Sequence, residues 1–152
     1  MTSLYDLGVE YFSNVTAKDF MNMMLGELVG TGQYRQVYSL EFDDTCVIKL
    51  EDKYAKFSNV KEWEVWSAVK GTSYAKWFAP CVKISGNGAW LIQKKTTPAR
   101  MEELPKEVPA FFTDLKLSNW GRLGKQIVCH DYGNHLLLEQ GMTKRMRKPT
   151  WK

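Results

Sequence analysis

The folding pattern is most visible in residues 27–51, "ELVGTGQYRQVYSLEFDDTCVIKLE". Apolar and polar residues alternate along this stretch, glycines interrupt its first part, and the pair Asp43-Asp44 separates its second and third parts. Alternation with a period of two residues is typical of β-strands, and Gly and Asp are typical of the turns between them. The stretch therefore predicts antiparallel strands joined by tight turns.

The segments that flank this stretch follow a helical period. Apolar residues recur at helical spacing and predict helices over residues 3–13 and 16–28. A further helix is predicted over residues 59–70, where Trp63 and Trp66 recur at helical spacing and Asn59 is the candidate N-cap.

The second half of the chain alternates again. Two strands are predicted around the turn at residues 85–88, and a small hairpin is predicted to turn at Gly124-Lys125. Prolines at positions 98, 105 and 109 restrict any helix between these hairpins to a short one. The predicted fold class is α+β, with an antiparallel sheet of about five strands and one helix between residues 26 and 95.

Composition narrows the class of protein. A chain of 152 residues with 44% hydrophobic and 13% aromatic residues predicts one folded domain. No apolar run approaches the roughly 18 residues that a membrane helix needs, and the N-terminal residues do not resemble a signal peptide. Cys46, Cys81 and Cys129 are scattered, which predicts reduced thiols in a cytoplasmic protein and no metal cluster.

Much of the net charge of +4 lies in "TKRMRKPTWK", residues 143–152, which holds five Lys or Arg and no acid. A basic terminus of this kind is most often a solvated tail, and that is the expectation here. An arm that contacts nucleic acid is the minor alternative, because no helix-turn-helix, zinc-finger or RNA-binding sheet pattern accompanies the tail.

A glycine turn and a buried lysine suggest a phosphate site. Gly30 and Gly32 would let backbone N–H groups approach phosphate oxygens, although glycines at a turn are usually turn residues only. Lys49 lies in the apolar strand "CVIKLE", where an unpaired ammonium is costly, so the lysine needs anions. The predicted carboxylate partner is Glu62, which shares a helix face with Trp66, and Glu64 is the alternative.

The stretch "FFTDLKLSNWGRLGKQIVCHDYG", residues 111–133, holds Asp114, Lys116, Asn119 and Asp131 on consecutive loops. Asp and Asn are common in turns for local hydrogen-bonding reasons. The same residue types could instead converge on a metal-bound phosphate, because hard cations such as Mg²⁺ take oxygen ligands.

In this order the elements resemble the protein kinase-like superfamily, which includes aminoglycoside phosphotransferases. Glycine-rich hairpin, V-I-K strand, helix with a glutamate, D-L-K-x-x-N and D-Y-G follow one another as in that family, from residue 28 to residue 133. The resemblance implies a kinase-like N-terminal lobe, with ATP and Mg²⁺ as cofactors. It also implies that a phosphate is transferred to a hydroxyl group.

The resemblance also implies roles for individual residues. Asp114 would be the catalytic base, with Lys116 beside the transferred phosphoryl group and Asn119 and Asp131 on Mg²⁺. Lys49 and Glu62 would form the family's ion pair. The nucleotide would be bound by Gly30, Gly32, Val37, Lys49, Ile92, Gln93, Lys94 and Lys95, the last three through their backbone.

The chain departs from the family pattern at several positions. Phe112 and Thr113 replace the His and Arg of the catalytic loop, Tyr132 replaces a Phe, and Arg35 replaces the third glycine of the phosphate loop. Arg35 could contact phosphate itself or lie in solvent. About 18 residues separate Lys95 from Asp114, and 19 follow Gly133. Set against the resemblance, these lengths predict that the large C-terminal lobe, which in the family normally holds a peptide substrate, is absent.

The predicted organisation is a single domain over residues 1–152. It comprises a helical extension (1–25), an N-lobe (26–95), a reduced C-lobe (96–133) and the basic C-terminal tail (134–152). Two functions remain open: an active phosphotransferase acting on a protein Ser/Thr or a small molecule, and a pseudokinase that holds or inhibits a partner protein. Such compactness is similar to that of phage-encoded kinase-like proteins, which suggests the host cytoplasm and a host-protein acceptor. The N-terminal helices or a second subunit would take the place of the lobe.

Overall fold

The computed structural model describes residues 17–51, 56–133, 135 and 137–152. The predicted helix over residues 3–13 lies outside the described residues. Among the described residues no helix is both long and apolar enough to cross a membrane.

The described part of the chain is an α+β fold built around one five-stranded antiparallel sheet. Its strands are β1 Leu25–Thr31, β2 Arg35–Leu40, β3 Asp43–Glu51, β4 Cys81–Ile84 and β5 Trp90–Lys94. They lie in the order β1-β2-β3-β5-β4, and every neighbouring pair is antiparallel. The prediction of about five antiparallel strands between residues 26 and 95 is confirmed.

Two helices flank the sheet. Helix α1 spans Ala17–Met24 and ends directly where β1 begins, so the prediction that a helix continues to residue 28 is wrong. Leu25 and Leu28 instead pair with β2, where the backbone hydrogen bonds of a neighbouring strand are available. Helix α2 spans Ser58–Val69 and matches the prediction of a helix over residues 59–70.

The start of α2 differs from the expectation. Asn59 lies inside the first turn instead of capping it, and it is fully buried. Its side-chain Nδ2 donates to the carbonyl oxygens of Lys49 and Gly88, at 3.1 and 3.0 Å. Glu51 Oε1 accepts from the backbone N–H of Ser58 at 2.5 Å and so satisfies one of the free donors at the helix start. Asn59 therefore joins the helix to β3 and to the turn between β4 and β5.

Residues after β5 form two small sheets. Strand β6 (Thr97–Pro98) pairs with β8 (Trp120–Leu123), and β8 pairs with β9 (Gln126–Cys129) in the predicted hairpin. Gly124 at its turn has a φ of 61°, a left-handed conformation that favours glycine. Strand β7 (Val108–Pro109) pairs with β10 (Met146–Arg147). Shorter helices are the 3₁₀ turns Ala75–Trp77, Met101–Glu103 and Leu117–Asn119, and α3 (Leu137–Gln140).

The sheet has a different apolar cluster on each face. Ile48, Cys46 and Ile92 pack with residues of α1 on one face. The larger cluster contains Val65 of α2 and Leu91 of β5, and it extends into aromatic residues of the second half of the chain. These aromatic residues are Phe78, Phe111, Phe112, Trp120 and Tyr132. One continuous core therefore joins the sheet to the loops that carry the predicted site.

The backbone of the basic segment 144–152 is docked against the rest of the chain, while its Lys and Arg side chains are exposed. Besides the β10 pairing, Leu117 donates its N–H to the Lys152 carbonyl at 2.8 Å, and Lys152 donates to the Leu115 carbonyl at 3.0 Å. The Trp151 ring contacts the Trp120 ring edge-on, with 5.2 Å between centroids. The expectation of a solvated tail therefore holds for the basic side chains but not for the backbone of residues 146–152, because the aromatic core gives Trp151 a surface on which to pack.

A close backbone approach at Gly121 gives a test of the packing between β6 and β8. A Cβ added there would lie 2.4 Å from Thr96 Oγ1 and 2.9 Å from the Thr97 carbonyl oxygen. We expect Gly121→Ala to lower the free energy of unfolding by about 1–3 kcal/mol, the usual cost of overpacking. Thermal unfolding measures this change. Gly86→Ala is the control, because a Cβ at Gly86 meets nothing within 4 Å, and an equal loss in both variants would contradict the argument.

Candidate nucleotide-binding cleft

A cleft of about 890 Å³ lies between the β1–β2 turn, the end of β5 and the loops after β7. Most of the residues predicted to bind nucleotide or metal line this cleft. They are Gly30, Gly32, Val37, Lys49, Gln93, Lys94, Lys95, Asn119 and Asp131.

Ile92 does not line the cleft. It packs with Cys46 and Ile48 in the cluster on the opposite face of the sheet. Successive side chains of a strand point to opposite faces, so a shift of one residue along β5 moves the assignment to Gln93. The prediction that Ile92 borders the ligand is therefore wrong, and Val47 is an apolar strand residue that lines the cleft.

The backbone at the end of β5 is largely occupied. Lys94 donates its N–H to the Pro80 carbonyl at 2.9 Å, and Lys95 donates to the Thr45 carbonyl at 2.8 Å. These two N–H groups are thus not free to bind a base edge, and that part of the prediction for residues 93–95 is corrected. Gln93 is wholly buried, so its side chain forms part of the cleft wall rather than an exposed edge.

The predicted ion pair between Lys49 and Glu62 is present. Lys49 Nζ lies 2.9 Å from Glu62 Oε2, and both side chains are almost completely buried. Lys49 also donates to the carbonyl oxygen of His130. Glu64 is exposed on the other side of α2, so the alternative partner is excluded.

Arg35 makes contacts in the cleft that were not predicted from the sequence. Its Nη2 lies 2.9 Å from Glu62 Oε1 and 2.9 Å from Asp131 Oδ1, and its Nη1 donates to Asn59 Oδ1 at 3.2 Å. The Arg35 side chain is only 10% exposed. The sequence left Arg35 either in solvent or on a phosphate. The structure instead makes it a bridge between α2 and the DYG segment.

These contacts determine the charge of Glu62. Burial raises the pKa of this carboxyl, but the charges and hydrogen bonds of Lys49 and Arg35 outweigh burial and lower the pKa to about 2. The backbone N–H of Tyr132 donates to Oε1 at 3.0 Å as a third source of stabilisation. Glu62 is therefore ionised at neutral pH, although it has no exposed surface.

The predicted catalytic loop is assembled around Asp114. Asn119 Nδ2 donates to Asp114 Oδ2 and to the Asp114 carbonyl, both at 3.1 Å, and Lys116 Nζ lies 3.5 Å from Asp114 Oδ1. Asn119 lines the large cleft, whereas Asp114 lines a separate notch of about 200 Å³. Asn119 thus links the two cavities, and Lys116 is half-exposed beside Asp114.

Sequence reasoning assigned no role to His130, which holds three segments together. Its Nε2 lies 2.8 Å from the Ser118 carbonyl and its Nδ1 lies 2.8 Å from Thr96 Oγ1. A carbonyl only accepts, so Nε2 carries the proton and Nδ1 accepts from the threonine. Burial lowers the pKa of His130, which keeps the ring neutral. Its position directly before the predicted metal ligand Asp131 was the available signal.

Tyr132 is packed inside the aromatic core. Its ring contacts Phe78 edge-on at 4.9 Å between centroids. Its hydroxyl donates to the Ala79 carbonyl at 2.7 Å, so the added oxygen is satisfied inside the core.

The cleft favours an anionic ligand. Among the described residues that line it, six are Lys or Arg and one, Asp131, is a carboxylate, and such an excess of positive charge attracts phosphate groups. The cations are Arg35, Lys49, Lys56, Lys61, Lys94 and Lys95.

The cleft also offers some, but not all, of the oxygen ligands that a hard cation needs. Asp131 is 49% exposed and offers carboxylate oxygens, and Asn119 offers an amide oxygen. No group of three or more His, Cys, Asp or Glu residues that could hold a metal occurs within residues 17–51, 56–133, 135 and 137–152. A divalent ion here would need further oxygens from phosphate and water.

Comparison with known proteins does not assign a family. No protein-family model matches the chain, and no curated protein matches it.

Removing the charge of the buried Glu62 carboxylate should destabilise the protein. Glu62→Gln leaves Lys49 and Arg35 without their shared anion, so we expect the free energy of unfolding at pH 7 to fall by about 3–5 kcal/mol. Glu64→Gln, which changes an exposed residue of the same helix, should stay within about 0.5 kcal/mol of the wild type. Urea denaturation of the three proteins measures both values.

Lowering the pH should reduce the difference in unfolding free energy between wild type and Glu62→Gln. Since folding lowers the pKa of Glu62 from 4.5 to about 2, its contribution is fully present above pH 4.5 and is lost as the pH falls towards 2. Wild type and Glu62→Gln should therefore converge in stability over that window. A constant difference from pH 7 to pH 2.5 would contradict the ionised state of Glu62.

Proposed function

We propose that this chain binds ATP in the cleft and transfers its γ-phosphate to a hydroxyl group, as a minimal kinase-like phosphotransferase. The buried ion pair of Lys49 with Glu62, set in the wall of a phosphate-attracting cleft, is the observation that carries this proposal. The same pairing of a strand lysine with a helix glutamate is part of the protein kinase signature.

The β1–β2 turn supports a phosphate site. A Cβ added at Gly30 would meet nothing within 4 Å, so packing does not demand a glycine there. Close approach of a ligand to the backbone is a physical reason for glycine at such a position. The N–H of Gly32 closes the turn through the Arg35 carbonyl at 2.8 Å, which holds the loop over the cleft without using Gly30.

The residues around Asp114 support transfer to a hydroxyl. Phosphoryl transfer depends on positioning and on neutralisation of charge, so it requires an aligned carboxylate rather than a nucleophilic side chain. Asn119 and Lys116 fix the orientation of the Asp114 carboxylate. In this proposal Asp114 accepts the proton of the acceptor hydroxyl, and Lys49 and Arg35 bind phosphate oxygens.

Asp131 and Asn119 would hold Mg²⁺ on the nucleotide. When bound, the ion would neutralise charge on the phosphates, and its remaining ligands would be phosphate and water oxygens. Because Arg35 already pairs with Asp131 Oδ1, the arginine and the ion share one carboxylate.

A kinase-like binding module without catalysis is the second candidate. The Arg35–Asp131 ion pair favours it, since it occupies the carboxylate on which a catalytic metal depends. Such a protein would hold a partner protein and would not turn over ATP.

Two substitutions separate binding from transfer. Asp131→Asn should weaken Mg·ATP binding and abolish transfer, because it removes the charged metal ligand. Asp114→Asn should leave the nucleotide affinity within about twofold and lower transfer by about 10²- to 10⁴-fold, because an aligned base acts in the transition state. Calorimetric titration with Mg·ATP and transfer of labelled phosphate to lysate proteins measure the two effects. A wild-type chain with no measurable Mg·ATP affinity would refute the proposed function, whereas binding without transfer would favour the second candidate.

The pairing of Arg35 with Asp131 should make nucleotide affinity depend on Mg²⁺ in an unusual way. Arg35→Gln removes both a phosphate-binding cation and a competitor for Asp131, so the ratio of nucleotide affinity with Mg²⁺ to affinity in EDTA should rise. Lys56→Gln removes a cation from the same cleft without a contact to Asp131, and its ratio should stay closer to the wild type. Titrations of all three proteins, with thermal unfolding as a check on folding, give the ratios. Equal ratios in the two variants would exclude competition between Arg35 and the ion.

A further inference from the structure

The notch beside Asp114 is bordered by the basic segment 144–152. Arg147, Lys148 and Lys152 line it together with Asp114, and the notch has a volume of about 200 Å³. A cavity of this size accepts one side chain rather than a nucleotide, for which clefts of about 300–1,000 Å³ are usual. It is therefore a separate site, next to the residue that the proposed function assigns to the acceptor hydroxyl.

The cations of the notch are held in place by backbone contacts. Arg147 pairs with Val108 in the β10–β7 ladder, and Lys152 exchanges hydrogen bonds with Leu115 and Leu117. Trp151 donates its indole N–H to the Pro105 carbonyl at 3.1 Å. Because the segment is anchored at both ends, its basic side chains project from a defined backbone and not from a free tail.

The notch brings together three cations from one run of chain. Arg147 ends β10, Lys148 and Lys152 follow it, and all three line the notch with Asp114. A peptide that carries a hydroxyl residue between carboxylates matches this mixture, because its hydroxyl can meet Asp114 while its carboxylates meet the cations. Among the described residues that line the notch, Asp114 is the one acid beside three cations, so the net charge there favours an anionic ligand.

We propose that segment 144–152 and Asp114 form the acceptor site for an acidic peptide, with the acceptor hydroxyl side chain in the notch and flanking carboxylates on Arg147, Lys148 and Lys152. This inference rests on the proposed function for the role of Asp114, and it names the substrate class. The basic segment then supplies what a large C-terminal lobe supplies in a full kinase, namely a surface that holds the peptide.

The test measures peptide binding without any transfer step. A fluorescein-labelled peptide with one serine between runs of glutamate is titrated with the full chain at low salt, and fluorescence anisotropy gives the affinity. The same peptide with glutamine in place of glutamate is the ligand control. Arg147→Gln combined with Lys148→Gln should weaken the acidic peptide by about 3- to 30-fold, the range expected for the loss of two exposed charge pairs.

The chain offers a matched protein control. Lys144→Gln combined with Arg145→Gln removes the same charge from the same segment, but neither residue lines the notch. This variant should keep most of the affinity for the acidic peptide. Equal losses in the two double variants would mean that the peptide senses only overall charge, and would overturn the proposal. Tighter binding of a labelled RNA oligonucleotide than of the peptide, with the same sensitivity to Arg147 and Lys148, would overturn it in favour of nucleic acid.

Two outcomes separate the acidic-peptide site from the nucleotide site. If Mg·ATP binds but the acidic and glutamine peptides bind equally, the acceptor site is refuted and the nucleotide site stands. If no nucleotide binds but the acidic peptide depends on Arg147 and Lys148, the peptide site stands and the enzyme is refuted.

Discussion

The fully buried carboxylate of Glu62 is the constraint on which the rest of the structure depends. An unpaired carboxylate in the interior would cost several kcal/mol, so the fold must bring it donors. Those donors come from β2 (Arg35), β3 (Lys49) and the backbone of Tyr132, at 2.9–3.0 Å. Three distant parts of the chain are thereby held around one helix residue.

This arrangement also explains why the cleft has its shape. Arg35 and Lys49 lie on neighbouring strands and their charged ends meet at Glu62, which pulls α2 against the sheet. The segment that contains His130 and Tyr132 is attached at both of these residues. Lys49 donates to the His130 carbonyl, and Tyr132 lies in the aromatic core. Asp131 lies between these two anchored residues, so its half-exposed carboxylate is presented to the cleft.

Charge balance distinguishes this cleft from one in which metal ions supply most of the positive charge. Arg35 stands where the kinase-like pattern has a glycine, and it brings a permanent cation to Asp131. In the proposed function, the arginine and a divalent ion would share this carboxylate. Segment 144–152 adds a second basic surface at Asp114, so the two cavities that flank Asn119 both favour anions.

Much of the local structure could be predicted from the sequence, since strand alternation and turn residues depend on neighbours in the chain. The antiparallel sheet, α2, the Gly124 turn and the pairing of Lys49 with Glu62 all follow from short-range pattern or from the need of a buried ammonium for an anion. Even so, short-range pattern was insufficient at element ends, where α1 gave way to β1 at residue 25.

Only the tertiary structure decided the contacts between distant residues. Arg35 and Asp131 are 96 positions apart, and no periodicity reports that their side chains meet. The face on which Ile92 lies depends on the strand register, and a difference of one residue reverses it. The docking of Trp151 against Trp120 likewise requires a completed aromatic core. The sequence determined which groups need partners, and the folded chain determined which partners they found, because burial and charge act on distance in space rather than along the chain.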